Sequence, residues 1–214
     1  METTLIGRAE ELTVLDSAVR AVEGGRSRVL AISGEAGIGK SRLLSELASR
    51  SAARGHTVLA GRGTELEREA PFAALVEALD DFLGSLDPRR LEALGHHLPH
   101  LAGVFPTFGA LGEAQSGPAA ERYRHHRAIR ALVEELAARR PLVLLLDDLH
   151  WADAASVEAI AHLVRRPSPA PVLLALACRT GQAPPLLSGA LAAAARDGHA
   201  EDVVLRTLTE DETG

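Results

Sequence analysis

The apolar positions of this chain follow two rhythms. Short, largely unbroken apolar runs occur at Arg28 to Ser33 (RVLAIS), Thr57 to Gly61 (TVLAG), Leu142 to Leu146 and Val172 to Cys178, with a weaker one at Val203 to Leu205. Runs of this length without polar alternation predict strands buried on both faces. Between them, leucine and alanine recur at helical spacing over Lys40 to Arg54, Phe72 to Leu83, Ala119 to Arg139, Ala154 to Val164 and Leu186 to Arg196. Pro71 stands immediately before the second of these, where proline suits a helix start. Such alternation predicts an α/β fold of three layers, a parallel sheet of about five strands covered on both sides. Residues 88–118 break the rhythm, with prolines, glycines and interrupted apolar stretches, and predict an irregular insert of short helices and loops, loosest over Gly112 to Pro118, within one domain spanning 1–214.

Composition narrows the function classes. A chain of 214 residues that is 46% hydrophobic can bury one sizeable core. Its net charge of −6 argues against a nucleic-acid groove in this segment, so any contact with DNA is expected to come from elsewhere. The apolar runs fall far short of the roughly 20 residues that cross a bilayer. The N-terminus lacks the basic-then-apolar order of a signal peptide, and the single cysteine, Cys178, has no internal disulfide partner. A cytoplasmic location is the expectation. Of the 23 basic residues only Lys40 is lysine. In a chain that uses arginine wherever charge alone matters, that lysine invites a chemical explanation.

The explanation lies in the residues around it. Gly34-Glu35-Ala36-Gly37-Ile38-Gly39-Lys40-Ser41 fits G-x-x-x-x-G-K-[ST], after a predicted strand and before a predicted helix. Glycines permit the backbone to turn its N–H groups toward a polyphosphate, and the helix start adds unpaired N–H groups and the positive end of its dipole. Lys40 is expected to reach the β- and γ-phosphates as a mobile point charge, Ser41 to supply a hydroxyl to Mg²⁺, and Arg42 to continue the binding segment. The loop thus predicts a site for ATP or ADP with Mg²⁺. The strand Leu142 to Leu146 runs into Asp147 and Asp148 at the edge where open α/β sheets bind ligands. Asp147 is expected to face the Mg²⁺ held by Ser41, and Asp148 to orient or deprotonate an attacking water. Many P-loop ATPases place a glutamate in the latter role, one methylene longer. Arg179, ending the next strand, falls at the same edge if the two strands are neighbours, and is then a candidate to sense the γ-phosphate. His150 is expected to hydrogen-bond near the acidic pair and Trp151 to pack beneath it. His96, His97 and His100 lack a fourth ligand and predict a surface cluster rather than a metal site.

These motifs, with Leu5-Ile6-Gly7-Arg8-Ala9-Glu10-Glu11-Leu12 before them and Asp147-Asp148-Leu149-His150-Trp151-Ala152-Asp153 as the most specific stretch, occur in the order seen in a known family. The chain resembles the AAA-like ATPase domain of large ATP-binding LuxR-type transcriptional regulators, members of the STAND group of signalling ATPases. The resemblance implies a P-loop NTPase fold of the AAA/ASCE type, and that Ile6, Gly7 and Arg8 line the pocket for the base. Arg122, Tyr123, Arg124 and Arg127 resemble a stretch of the same family, although four such residues on a helix read equally as a solvated face. Thr180-Gly181-Gln182 depart from the acidic residues the family shows after Arg179.

In that family a helical lid, a sensor array and a helix-turn-helix follow. The lid would begin near Leu208-Thr209-Glu210-Asp211-Glu212, so the chain is expected to be the nucleotide-binding portion of a larger protein, without its lid, touching DNA only through those other regions. Nucleotide-dependent self-association is a further expectation. A slow ATPase serving as a regulatory switch is the leading reading. The alternatives are a stand-alone ATPase, a small-molecule kinase, or the ATPase domain of an adenylate cyclase or protein kinase of the same group.

Overall fold

The computed structural model describes residues 7–109 and 118–207. In chain order the elements are α1 (Ala9–Glu23), β1 (Arg28–Gly34), α2 (Lys40–Ala53), β2 (Thr57–Arg62), α3 (Ala73–Gly84), α4 (Pro88–Glu92), α5 (Leu98–Ala102), α6 (Pro118–Ala137), β3 (Leu142–Asp147), α7 (Ala154–Arg165), β4 (Val172–Arg179), α8 (Pro185–Arg196) and β5 (Ala200–Val204). Single 3-10 turns lie at Glu65–Glu67, Gly95–His97, Pro106–Phe108 and Leu149–Trp151. All five strands pair in parallel in the order β2-β3-β4-β1-β5.

The strand sequences explain the layering. Leu142 to Leu146 and Val172 to Cys178 are buried throughout, as central strands covered on both faces must be. Their side chains divide with a period of two. Leu142, Leu144, Leu146, Leu174 and Leu176 join one core with α3, α6, α7 and α8, while Val143, Leu145, Leu173, Ala175 and Ala177 join a second with α1 and α2. Each fully buried leucine contributes about 2 kcal/mol of transfer free energy, so the two central strands anchor both layers. Helix α1, an element beyond those predicted from the sequence, closes the second layer by burying Leu15, Ala18, Val19 and Val22.

Between residues 88 and 109 the chain forms the expected short helices and turns, and Leu94, Leu101, Val104 and Phe105 pack into the first core. The looser stretch expected from Gly112 lies mostly outside the described residues. None of the described helices is long and apolar enough to cross a membrane.

Topology positions the site. From β1 the chain passes to β2 at the far edge, returns through β3 and β4, and ends in β5 on the other side of β1. The order reverses at β1, and the crevice at the carboxyl ends of the strands around such a switch point is where open sheets bind ligands. Register places Gly34 of β1 opposite Arg179 of β4, and Arg62 of β2 opposite Asp147 of β3.

Candidate functional site

The turn between β1 and α2 is shaped by its glycines. Gly37 and Gly39 hold φ of 73° and 104°, the left-handed region that a Cβ disfavours. Gly34 is constrained by proximity, since a Cβ there would lie 2.7 Å from Ile38 Cγ2 and 3.1 Å from Leu205 Cβ. Gly39 is the N-cap of α2 and makes no side-chain cap hydrogen bond, and the N–H groups and positive dipole end of such a helix start suit an anion. Lys40 is 6% exposed, and its Nζ donates to the carbonyl oxygens of Gly34 at 3.0 Å and Glu35 at 2.8 Å. Two of the three ammonium N–H groups thus hold the loop, and the third remains for a ligand. Glu35, Ala36 and Gly37 form its exposed rim, and Arg42 lies exposed on the first turn of α2.

The acidic strand end meets this loop directly. Ser41 Oγ donates to Asp147 Oδ2 at 2.5 Å, and Asp147 Oδ1 accepts from the Asp148 N–H at 2.8 Å. Asp148 then takes φ 48°, ψ 37°, a left-handed conformation that costs a non-glycine residue about 1 kcal/mol or more. Gly63, after β2, packs so closely that a Cβ there would lie 2.7 Å from Asp148 O and 2.7 Å from Ala152 N. Arg179 is half-buried at the end of β4, and the neighbouring Thr180 N–H reaches Gly34 O at 3.3 Å, so β4 lies between the phosphate-loop strand and the acidic strand.

Burial pushes the Cys178 thiol up to about 12, with the negative fields of Asp147 and Asp148 adding to it, as suits an inert core residue. His150 is buried too, and burial lowers its pKa while Asp148 pulls the other way. Contrary to expectation, its ring makes no hydrogen bond; the closest charged partner is Asp148 Oδ1, 3.9 Å from Nδ1. Trp151 is half-buried against the His150 ring, with the Arg68 guanidinium 4.9 Å from its centroid.

Asp153, for which the sequence alone predicts no role, is a keystone of the structure. It is 4% exposed; Oδ1 accepts from Phe72 N at 2.9 Å and Ser156 N at 2.8 Å, and Oδ2 from Ala73 N at 3.1 Å. One carboxylate therefore caps both α7 and α3. The aspartate before the helical run at Ala154 carried half of that signal; the partner helix was invisible. Glu77 on α3 was also missed. Its carboxylate accepts from Arg62 N at 2.6 Å, beside a groove of about 250 Å³ that Ser41, Ser45 and Asp147 help to line.

On the other side of the phosphate loop, Arg8 is buried. It pairs with Glu11 at 2.8 Å and donates to Arg206 O at 2.8 Å and Ile38 O at 3.4 Å, tying the N-terminal segment to the phosphate loop and to the residues after β5. Gly7 and Arg8 line a cavity of about 690 Å³ with Glu11, Val14, Val203 and Thr207. Ile6, expected there as well, lies outside the described residues. His96, His97 and His100 gather no metal-binding group, and none of three or more such residues occurs among the described residues.

Residues 4–175 match the AAA ATPase domain family. This chain belongs to that family. It is a nucleotide-binding AAA module with the α/β fold of P-loop NTPases. An uncharacterized protein of Rhizobium meliloti is 30% identical over 223 residues, covering 98% of this AAA domain and 21% of that protein. The hybrid signal transduction histidine kinase G of Dictyostelium discoideum is 26% identical over 177 residues, covering 75% of the domain and 5% of the kinase. The domain thus spans about a fifth or less of the curated relatives it matches. Among solved structures, a chain of the E. coli MS115-1 HORMA:CdnC:Trip13 complex superposes with a TM-score of 0.53 at 13% identity, over 97% of this domain and 65% of that chain. At that identity the likeness is one of fold.

Proposed function

We propose that this AAA domain binds ATP with Mg²⁺ and hydrolyses it slowly, as the nucleotide-dependent switch of a larger LuxR-type transcriptional regulator. The observation that carries the nucleotide chemistry is the 2.5 Å contact of Ser41 Oγ with Asp147 Oδ2, one residue from Lys40 in the phosphate loop. A hydroxyl and a carboxylate oxygen brought together are hard donors that fit a magnesium ion. When bound, that ion neutralises charge on the phosphate oxygens.

The chain's own residues supply the rest. The glycine loop and the uncapped start of α2 hold the phosphates, Lys40 stabilises charge on the β- and γ-phosphates, and Arg179 reads the γ-phosphate from β4. Asp148 orients an in-line water and accepts its proton. The water oxygen forms a bond to the γ-phosphorus, and the bond from that phosphorus to the β–γ bridging oxygen breaks, its electron pair leaving with ADP. Gly7 and Arg8 serve the base from the neighbouring cavity.

The regulatory part of the reading is supported by the Asp147 to Asp153 stretch. Similarity to a segment of a signal transduction histidine kinase supports signalling in general and keeps open an ATPase domain of a kinase of the same group. The test has two arms. In calorimetry and phosphate-release assays the chain is expected to bind Mg·ATP and release phosphate slowly, with Asp148→Asn retaining binding and losing most release; equal release by the two proteins removes Asp148 from this role. Second, the open reading frame beyond Gly214 is expected to encode a sensor region and a helix-turn-helix, without which the transcriptional reading fails.

A further inference from the structure

Strand β2 is the edge of the sheet, and α2 does not cover it fully: Ala60 is exposed. The strip left open is the groove of about 250 Å³ beside the phosphate loop. Leu44 and Ala48 of α2 wall it, Ala60 and Leu145 line the sheet beneath, and Ser41 and Asp147 stand at one end. Register explains the space. Ala60 pairs with Leu145, so both side chains leave the sheet on the α2 face, and an alanine at an edge position leaves room above it.

Two charged groups at this groove have capacity that the fold does not use. Arg62 is in register with Asp147, on the same face of the sheet. Asp147 is engaged by Ser41 Oγ and the Asp148 N–H, and the Arg62 guanidinium makes no ion pair or hydrogen bond among the described residues. Glu77 comes from α3. Its Oε2 accepts from the Arg62 N–H at 2.6 Å, which fixes the carboxylate and leaves Oε1 without a partner among the described residues. A guanidinium and a carboxylate that share a groove without pairing complement a ligand carrying both opposite charges. The apolar wall suits an aliphatic body between them.

Size and sign narrow the class further. A volume of 250 Å³ equals that of about eight waters, room for roughly nine or ten non-hydrogen atoms. Glu77 and Asp147 oppose a phosphate-bearing ligand, and a simple organic cation would leave Arg62 facing a like charge. We propose that the groove binds a small aliphatic zwitterion of the amino-acid class. Arg62 holds its carboxylate, Glu77 its ammonium, and Leu44, Ala48 and Leu145 its side chain. The groove ends on the two residues assigned to Mg²⁺, so the ligand and the nucleotide alter one another's affinity by the same factor. That coupling rests on the nucleotide reading given above; the binding itself does not.

The test titrates the whole chain by calorimetry with L-leucine as the probe, and with two analogues that keep its body: isoamylamine, which lacks the carboxylate, and isocaproate, which lacks the ammonium. Leucine is expected to bind with a Kd of about 1 mM or tighter, and each analogue about tenfold more weakly. Arg62→Gln is expected to bring leucine down to the level of isoamylamine, and Glu77→Gln, which keeps an acceptor for the Arg62 N–H, to the level of isocaproate. Ala60→Phe, at an exposed strand position that favours an aromatic, is expected to abolish leucine binding while Mg·ADP affinity stays within about twofold of wild type. If that variant does not fold, Ser45→Phe on the exposed side of α2 blocks the same groove.

No leucine binding at tenfold the expected Kd overturns the proposal, as does binding that the groove-filling variants leave unchanged. Isoamylamine or isocaproate binding as tightly as leucine overturns the zwitterion assignment. Nucleotide binding without leucine binding sinks the groove and spares the ATP reading, and the reverse result sinks the ATP reading and spares the groove. With both bound, saturating Mg·ADP is expected to change leucine affinity about threefold or more, and an unchanged affinity removes the coupling.

Discussion

Two turns leave the carboxyl edge of the sheet, one after β1 and one after β3, and they are built in opposite ways. The phosphate turn is a backbone device. Its shape comes from Gly37 and Gly39 at positive φ and from Lys40 donating to the carbonyls at its own start, all within a few residues. The acidic turn is a side-chain device held from a distance. Asp153 ties it to Phe72 and Ala73 at the start of α3, Gly63 admits it by having no Cβ, and Asp148 accepts a strained backbone. A loop that supports itself has little room for substitution but little dependence on the rest of the fold. A loop supported by its neighbours can be disturbed from elements far away in sequence.

That difference can be broken or sharpened by mutation. The largest effect is expected from Lys40→Ala, which removes both the loop's internal ties and the cation proposed to meet the phosphates: calorimetry should show ATP affinity reduced by about 100-fold or more, roughly 2.7 kcal/mol. Lys40→Arg is expected to fail as well, because a planar fork cannot replace a compact ammonium at this depth.

Next comes Asp153→Ala. Losing a buried carboxylate that serves three backbone N–H groups and caps two helices should cost about 3 kcal/mol in urea unfolding, while ATP affinity stays within about threefold of wild type. A loss of affinity equal to that of Lys40→Ala would show that the two turns are one mechanical unit.

Asp148→Gly should separate stability from activity. Releasing the left-handed strain is expected to raise stability by up to about 1 kcal/mol in the same assay, offset in part by the entropy of glycine, while phosphate release is lost. A drop in stability would mean that the conformation at Asp148 is held by favourable contacts rather than imposed on it.

The smallest effect concerns α7, the helix that the acidic turn leads into. Burial lowers the His162 pKa to about 4, helped by His126, Arg166 and Arg130, whereas the unfolded chain titrates near the ordinary 6.5. Between those values the unfolded state binds more protons, so stability should rise with pH from about 4 to 6.5 and be fully present above that range. His162→Asn is expected to flatten part of this slope in Tm measured against pH; an unchanged slope would assign it to other groups.

Legibility in the sequence followed the same division. The strands and the phosphate loop could be read because the constraint is local: continuous apolar runs, and glycines required where the backbone turns the left-handed way. Helix α1 carries Leu12, Leu15, Val19 and Val22 at helical spacing, but its first turn is charged and belongs to the Gly7 to Glu11 segment, which masks the apolar rhythm there. Arg8, expected beside the base, lines the neighbouring cavity and is also a structural tie to Arg206.

By itself, then, the sequence determined which residues could carry the chemistry, since glycine, a lone lysine, a hydroxyl and two carboxylates at fixed spacing have few other uses together. Tertiary structure alone decided that β4 separates the two turns, that Ser41 meets Asp147, that Asp153 serves a helix some 80 residues away, and that His150 is buried beside Asp148 without a partner. The reason is range. Backbone conformation and burial pattern are written into neighbouring residues, whereas strand order and hydrogen bonds between distant elements arise only when the whole sheet has closed around its core.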